Sequence, residues 1–227
     1  MTMTQKINQN VLAIKEQIDN SLNQLASLNI VRFYNPSNIT NNKQDDTFRI
    51  SWFNHVGGRN VSSNAFLHLN QYLAILESGA YHALMHDYSI LRVSFTYQHS
   101  KLISQNLLWW PCPVKIDFEY EEEFTPFELV NDFLEDKNNY RMRSPIRIDF
   151  DIENDTEDHP KAHIHTQHPK SRMNTVEPIC FNTFIRFILN HYYPEVDVDI
   201  TKFPKCPISY PKVKEIKYIL EEKLVLA

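Results

Sequence analysis

A strict alternation of apolar and polar residues in two neighbouring segments constrains the fold of this chain more than any other feature. Residues 145–152 and residues 162–167 each repeat with a period of two, which is the period of a β-strand with one buried face. The connection between them is short and rich in Asp and Glu. We therefore expect the two strands to pair antiparallel, with both apolar faces in one core and both polar faces together.

The remaining patterns extend this pair into a larger antiparallel sheet. Further alternating segments predict strands at residues 47–52, 81–85, 91–97 and 101–110. The turns between the last three are too short for parallel crossovers. A short helix is predicted at residues 65–76, ending before Gly79. A Thr-Pro-Phe-Glu capping motif predicts a helix from residue 125, and an apolar face predicts another at residues 181–191. The predicted fold class is α+β, an antiparallel meander sheet with helices packed on one face.

We interpret residues 1–227 as a single domain with an N-terminal helix and lead-in (1–34), a polar loop (35–46) and an α+β core (47–227). Both ends carry amphipathic helices, at residues 5–28 and about 212–224. The N-terminal stripe is narrow, so it fits packing on its own domain or pairing with a partner helix. Through these terminal helices we expect a protein partner or a homo-oligomer.

Composition excludes several classes of function. The chain has three glycines, which cannot form the glycine-rich loops that bind nucleotide phosphates. Its net charge of −5 gives no global attraction to nucleic acid, so any such contact must be local. Three cysteines without a C-x-x-C pair indicate a reducing compartment. No apolar run approaches a signal peptide or a membrane span, and we expect a cytoplasmic protein without membrane contact.

The polar face of the predicted strand pair concentrates groups that move protons, bind anions or hold metals: Arg147, Asp149, Asp151, His163 and His165. Three interpretations remain open. The face is an ordinary solvated surface with cross-strand ion pairs, or its arginines bind a phosphate or carboxylate. In the third, both histidines and an aspartate form a metal site or an acid–base site for hydrolysis.

The predicted site residues divide by role. Asp149, Asp151, His163 and His165 are the candidate catalytic residues, and the two histidines are also the candidate ligands of a divalent metal. Four residues are the candidates for binding a ligand or phosphate: Arg143, Arg147, Arg59 and His159. Arg59 follows Gly57 and Gly58, whose permissive backbone lets an anion approach closely.

Four motifs resemble an uncharacterised bacterial family called the domain of unknown function 2290. They are LLWWPCPV (residues 107–114), SPIRIDFD (144–151), HPKAHIH (159–165) and FIRFILNHYYP (184–194). The resemblance covers most of the chain after about residue 45. It implies a cytoplasmic bacterial protein with no established activity, and such families often accompany mobile or defence-related genes.

These observations lead to two expected functions and leave open whether the chain is an enzyme. The first is a ligand- or nucleic-acid-binding subunit of a multi-protein system, such as an anti-phage system, which uses the Arg/Asp/His face. The alternative is a phosphodiester hydrolase, nuclease-like, that uses the same D-x-D and H-x-H residues with a metal or by acid–base chemistry. Metal content discriminates between them.

Overall fold

The computed structural model describes residues 8–53, 68–116, 124–156, 159–166, 168 and 170–211. Within these ranges the helices are α1 (Gln9–Ser27), α2 (Leu69–Ser78), α3 (Pro126–Phe133) and α4 (Phe181–Tyr192), with short 3-10 turns at Lys137–Asn139 and Ile200–Lys202. The strands are β1 (Val31–Tyr34), β2 (Ser37–Asn42), β3 (Thr47–Trp52), β4 (Ala83–Met85), β5 (Ile90–Gln98), β6 (Lys101–Trp110), β7 (Ile146–Asp151), β8 (Ala162–Thr166) and β9 (Met173–Asn174). The predicted C-terminal helix lies outside the described residues.

The described strands form one antiparallel sheet. The order along its main path is β1-β4-β5-β6-β7-β8-β9, and every pair in it is antiparallel. β3 also pairs with β5, beyond the end of β4, and β2 pairs with the outer side of β3. The predicted α+β fold with an antiparallel meander is therefore confirmed.

Helices cover both faces of the sheet. α1 and α4 share one apolar core with alternate residues of the strands, including Phe95, Leu107 and Ile148. α2 and α3 pack against a second cluster on the opposite face, which contains Leu108 and Trp110. The prediction of helices on one face was thus incomplete, because the apolar residues of β6 near its C-terminal end fall on both faces.

Two predictions about the N-terminal part are corrected. Residues 37–42, predicted as part of a polar loop, form β2, which is paired along its whole length with β3. A strand at an edge tolerates the polar residues of this segment because its outer face is exposed. The apolar stripe of α1 is not open to a partner, because Val11, Ile18, Leu22 and Leu25 are fully buried in the chain's own core.

Local sequence signals set the ends of several helices as predicted. The side chain of Thr125 accepts a hydrogen bond from the backbone of Glu128, whose carboxylate accepts one from the backbone of Thr125, and this capping box begins α3. Gly79 ends α2 in the left-handed conformation, at φ 62°. Of the helices that the structure describes, none combines the length and apolar character needed to cross a membrane.

Candidate metal centre beside a polar cleft

The polar face of the sheet is organised in rows of residues that are paired directly across neighbouring strands. The first row consists of Arg92, Leu108, Arg147 and His165. The second row consists of Ser94, Asn106, Asp149, His163 and Asn174. The third row consists of Thr40, Arg49, Thr96, Ser104 and Asp151. Because neighbouring strands lie about 4.8 Å apart, these rows fix the spacing of the polar groups.

The predicted antiparallel pairing of the aspartate strand with the histidine strand is confirmed. Asp149 lies opposite His163, and Arg147 lies opposite His165. Asp149 Oδ2 lies 3.2 Å from His165 Nε2 and 3.7 Å from His163 Nε2. A carboxylate is therefore within hydrogen-bond reach of an imidazole, as the alternation of both strands predicted.

The two imidazoles point their Nε2 atoms at each other, at 2.9 Å. His163 Nδ1 lies 2.6 Å from the backbone oxygen of Pro160. A carbonyl oxygen only accepts, so Nδ1 carries the hydrogen and Nε2 of neutral His163 carries a lone pair. Arg147 Nη2 lies 2.7 Å from His165 Nε2 and can only donate, so this nitrogen also carries a lone pair. Two lone pairs at this distance repel each other unless a proton or a metal ion lies between them.

Burial keeps both imidazoles neutral. His163 and His165 have no exposed surface. Desolvation lowers the pKa of His163 to about 4, although the charge of Asp149 acts in the opposite direction. Desolvation also lowers the pKa of His165. Burial raises the pKa of Asp149, but His165 and the Arg147 guanidinium more than offset this and hold that pKa well below its usual range.

Further groups orient the three side chains. Asn106 Nδ2 donates to Asp149 Oδ1 at 2.6 Å, and Arg147 Nε donates to Asp149 Oδ2 at 2.8 Å. The Pro160 carbonyl fixes the tautomer of His163. Asp149, His163 and His165 each offer one ligand atom, and these atoms lie within 4.8 Å of one another. Hydrogen bonds of this kind to carboxylate and imidazole ligands are characteristic of metal sites.

A polar cleft of about 1030 Å³ lies beside this cluster. Its lining includes Arg147, Asp149 and His159 at one side and Arg49 and Trp52 from β3 at the other. Hydroxyl and amide side chains from the second and third rows lie between them. Asp149 is thus the member of the cluster that connects the buried imidazoles with the cleft.

The other predicted residues take different positions. Asp151 lies on the same face, but its carboxylate accepts hydrogen bonds from Asn154 Nδ2 at 2.7 Å and from the backbone of Glu153 at 3.2 Å. His159 borders the cleft, and its ring packs edge-on against His163 with centroids 4.7 Å apart. Arg143 is directed away from the cluster and donates to Asp87 at 2.7 Å. Arg59 lies outside the described residues.

The interpretation of the face as an ordinary solvated surface is wrong for its central residues. Arg147 is 7% exposed, and both histidines are fully buried. Within the acidic connection, the backbone of Lys161 donates a hydrogen bond to Asp155, and the His159 ring packs against His163. Sequence reasoning missed Asn106, Arg49 and Arg92, which share this face. The alternation within β5 and β6 was the signal, but the register across the strands was needed to place them.

Acidification should destabilise the chain through these histidines. Unfolded His163 binds a proton near its ordinary pKa of about 6.5, whereas folded His163 binds it near pH 4. Between these values the unfolded state binds more protons, so stability falls as the pH decreases, by up to about 1.4 kcal/mol per pH unit for one group. Urea unfolding from pH 7 to pH 4.5 with a chelator measures this slope. The substitution His163→Asn should flatten it, and parallel curves for the variant and the wild type would contradict the assignment.

Comparison with known proteins agrees with the motifs. A family model described as an uncharacterised conserved protein (DUF2290) matches residues 30–223, a range that includes all of the described strands and the whole candidate cluster. No curated protein and no solved structure matches the chain. The geometry of the site itself therefore carries the functional argument.

Proposed function

The chain belongs to the DUF2290 family of uncharacterised conserved proteins, and from its site we propose that it is a metal-dependent phosphodiester hydrolase. Asp149, His163 and His165 would hold one divalent transition-metal ion at the wall of the polar cleft. The observation that carries the proposal is the convergence of lone pairs from three side chains on one point. At these distances, the lone pairs of neutral imidazoles and a carboxylate repel one another unless a cation lies between them.

The donor set favours zinc. Two imidazole nitrogens and one carboxylate oxygen are typical ligands of catalytic zinc, which keeps a fourth position for water. The same set also suits non-haem iron, so metal analysis decides the identity. A metal held by these residues would supply Lewis-acid chemistry, in which it lowers the pKa of bound water and polarises a phosphoryl oxygen. Asp149 is the ligand that borders the cleft, so a substrate in the cleft would meet the metal from that side.

Arg147 and the metal would compete for the lone pair of His165 Nε2. His165 Nε2 has a single lone pair, which accepts from Arg147 Nη2 at 2.7 Å in this structure. Metal binding would displace this hydrogen bond, whereas Asp149 Oδ2 has a second lone pair and can keep its bond to Arg147 Nε. The guanidinium would then turn towards the cleft, which it already borders, and pair with a substrate phosphate.

The charges of the cleft support a metal-dependent function over metal-free binding of a phosphodiester. Among the described residues, the carboxylates that line it are those of Asp45, Asp149, Asp151 and Glu153. Only the guanidinium groups of Arg49 and Arg147 oppose them there. The excess of carboxylates weakens the binding of a phosphodiester in the bare cleft, and a divalent cation would offset part of this repulsion.

The burial of the imidazoles argues against acid–base chemistry without a metal. A general acid or base must come within hydrogen-bond reach of the substrate, directly or through one water. His163 and His165 have no exposed surface, so neither reaches a substrate in the cleft in this arrangement. With a metal bound, the imidazoles would act as its ligands and would not need to reach the substrate themselves.

Metal content and hydrolysis test the proposal together. We expect purified protein to contain about one zinc or iron ion per chain. Hydrolysis of bis(p-nitrophenyl) phosphate should disappear on treatment with a chelator and return when that metal is added back. A chain that binds neither zinc, iron nor manganese by calorimetry, and that cleaves no phosphodiester, would rule the proposal out.

The binding function predicted from the sequence would show a different pattern. A subunit that binds a phosphorylated ligand or nucleic acid through Arg147 should do so in the presence of a chelator, with an affinity that falls as salt is added. Its place in a multi-protein or anti-phage system remains a prediction from the family resemblance.

A further inference from the structure

Arg92 is a buried guanidinium that the candidate metal centre does not use. It lies in β5, at the start of the first row, and has no exposed surface. None of its three guanidinium nitrogens has a hydrogen-bond partner among the residues that the structure describes. Buried arginines are normally paired with a carboxylate or with several carbonyl oxygens, so this position calls for an acceptor.

Arg92 lies behind the wall of the polar cleft, where the Trp52 ring covers it. Its guanidinium carbon lies 4.3 Å from the centroid of the Trp52 ring, and Trp52 borders the cleft. Ser94, two residues further on the same face of β5, also borders the cleft. Across the sheet, Leu108 separates Arg92 from Arg147, so the backbones of the two arginines lie two strand spacings apart, about 10 Å.

We propose that Arg92 is an anion-binding residue that pairs with a phosphate group of the ligand bound in this cleft. Because Arg92 has no exposed surface and does not itself line the cleft, the anion would reach it from the cleft once the Trp52 ring, which stacks on the guanidinium, turns aside. A planar guanidinium forms two parallel hydrogen bonds to phosphate, which matches the three unpaired nitrogens. The choice of phosphate rests on the proposed function, whereas the anion site itself rests on Arg92.

The unpaired charge of Arg92 is unfavourable in the free chain and would become favourable when an anion binds. An unpaired buried charge destabilises the folded chain, and burial lowers the pKa of Arg92 to about 10. Replacing such a charge with an apolar residue should therefore stabilise the folded chain when no ligand is bound. Pairing with an anion in a dry site strengthens the interaction relative to water.

Phosphate-dependent thermal unfolding tests this in the full chain, with a chelator present so that the metal plays no part. At constant ionic strength, phosphate should raise the unfolding temperature of the wild type by mass action, whereas acetate should have much less effect. Arg92→Met should weaken phosphate binding by at least about tenfold, because it leaves the anion without its partner. Without phosphate, the unfolding temperature of Arg92→Met should equal that of the wild type or exceed it by about 2 °C or more.

Two further variants serve as comparisons for Arg92→Met. Arg92→Lys keeps the charge but loses the planar fork, so it should weaken phosphate binding less than Arg92→Met does. Arg32 stacks on the Tyr88 ring at 4.8 Å, and Arg32→Met is the matched control that should retain the phosphate response. A dinucleotide should show the same dependence on Arg92 as inorganic phosphate.

Several results would overturn the proposal. Phosphate should stabilise the wild type in every preparation, so a wild type that phosphate does not stabilise excludes the anion site. Arg92→Met that unfolds below the wild type and binds phosphate equally well assigns Arg92 a structural role, as does failure of both Arg92 variants to fold. Phosphate binding without dinucleotide binding overturns the phosphodiester as the ligand class. If the chain shows no metal-dependent hydrolysis but still binds phosphate through Arg92, the proposed function is contradicted and the anion site is retained.

Discussion

Substituting His163 with alanine should lower the affinity of the chain for zinc more than about 100-fold and abolish metal-dependent hydrolysis. Removal of a residue that merely orients a ligand typically weakens metal binding about 10- to 100-fold, and removal of a ligand itself should exceed this. His163 contributes Nε2 to the cluster and is held by the Pro160 carbonyl through Nδ1. Competition with a chromophoric chelator measures the affinity, and circular dichroism checks the fold.

His159 offers a matched control for this prediction. Its ring packs against His163 and borders the same cleft, but it is not among the three converging ligands. His159→Ala should therefore retain most of the zinc affinity. Equal losses in His159→Ala and His163→Ala would show that the cluster as described is not the metal site.

Substituting Asp87 with alanine should lower the free energy of unfolding by about 2–4 kcal/mol. Asp87 accepts hydrogen bonds from Arg143 at 2.7 Å, from the hydroxyl of Tyr193 at 2.9 Å and from the backbone of Ser89 at 3.0 Å. It thereby joins the turn before β5 to the segment before β7 and to the end of α4. Loss of one partner of a fully buried pair costs about 3–5 kcal/mol, and the value here is smaller because the Arg143 side chain is 25% exposed.

The pH dependence of this contribution has a definite sign. Burial raises the pKa of Asp87, but the Arg143 charge and the hydrogen bonds from Ser89 outweigh it, so the pKa is lowered. The stabilisation is therefore present above the unfolded pKa of about 3.9 and is lost as the pH falls through the folded value. Urea unfolding at pH 7 measures the full effect. Asp132→Ala, on the exposed side of α3, should change stability by less than about 0.5 kcal/mol, and a similar loss in both variants would contradict the prediction.

The sequence predicted the sheet and the shared face because these depend on local rules. A period of two and short turns determine which residues of β7 and β8 lie together, and the structure places Asp149 opposite His163 accordingly. Local rules also located the capping box at Thr125 and the end of α2 at Gly79. In each case, interactions between residues that are close in the sequence determine the feature.

Features that depend on distant segments were not predictable in the same way. The burial of His163 depends on residues of the connection, because the His159 ring packs on its ring and the Pro160 carbonyl lies against its Nδ1. The strand at residues 37–42 forms because β3 offers it a free edge, although its own residues are typical of a loop. Arg92 joins the first row only through the register of three strands, so no single segment reveals its relation to Arg147.

The complete burial of both imidazoles also has a consequence for exchange kinetics. Their ligand atoms lie on paired strands inside the sheet, and Asp149 is the ligand that reaches the cleft. An ion held there would exchange slowly, because the loss of both imidazole ligands requires β7 and β8 to open locally, and such openings are rare in the middle of a sheet. The rate of opening, rather than the dissociation constant, then sets the time for which a metal is retained. The ion found in a purified sample would accordingly reflect what the cell supplied while the chain was folding.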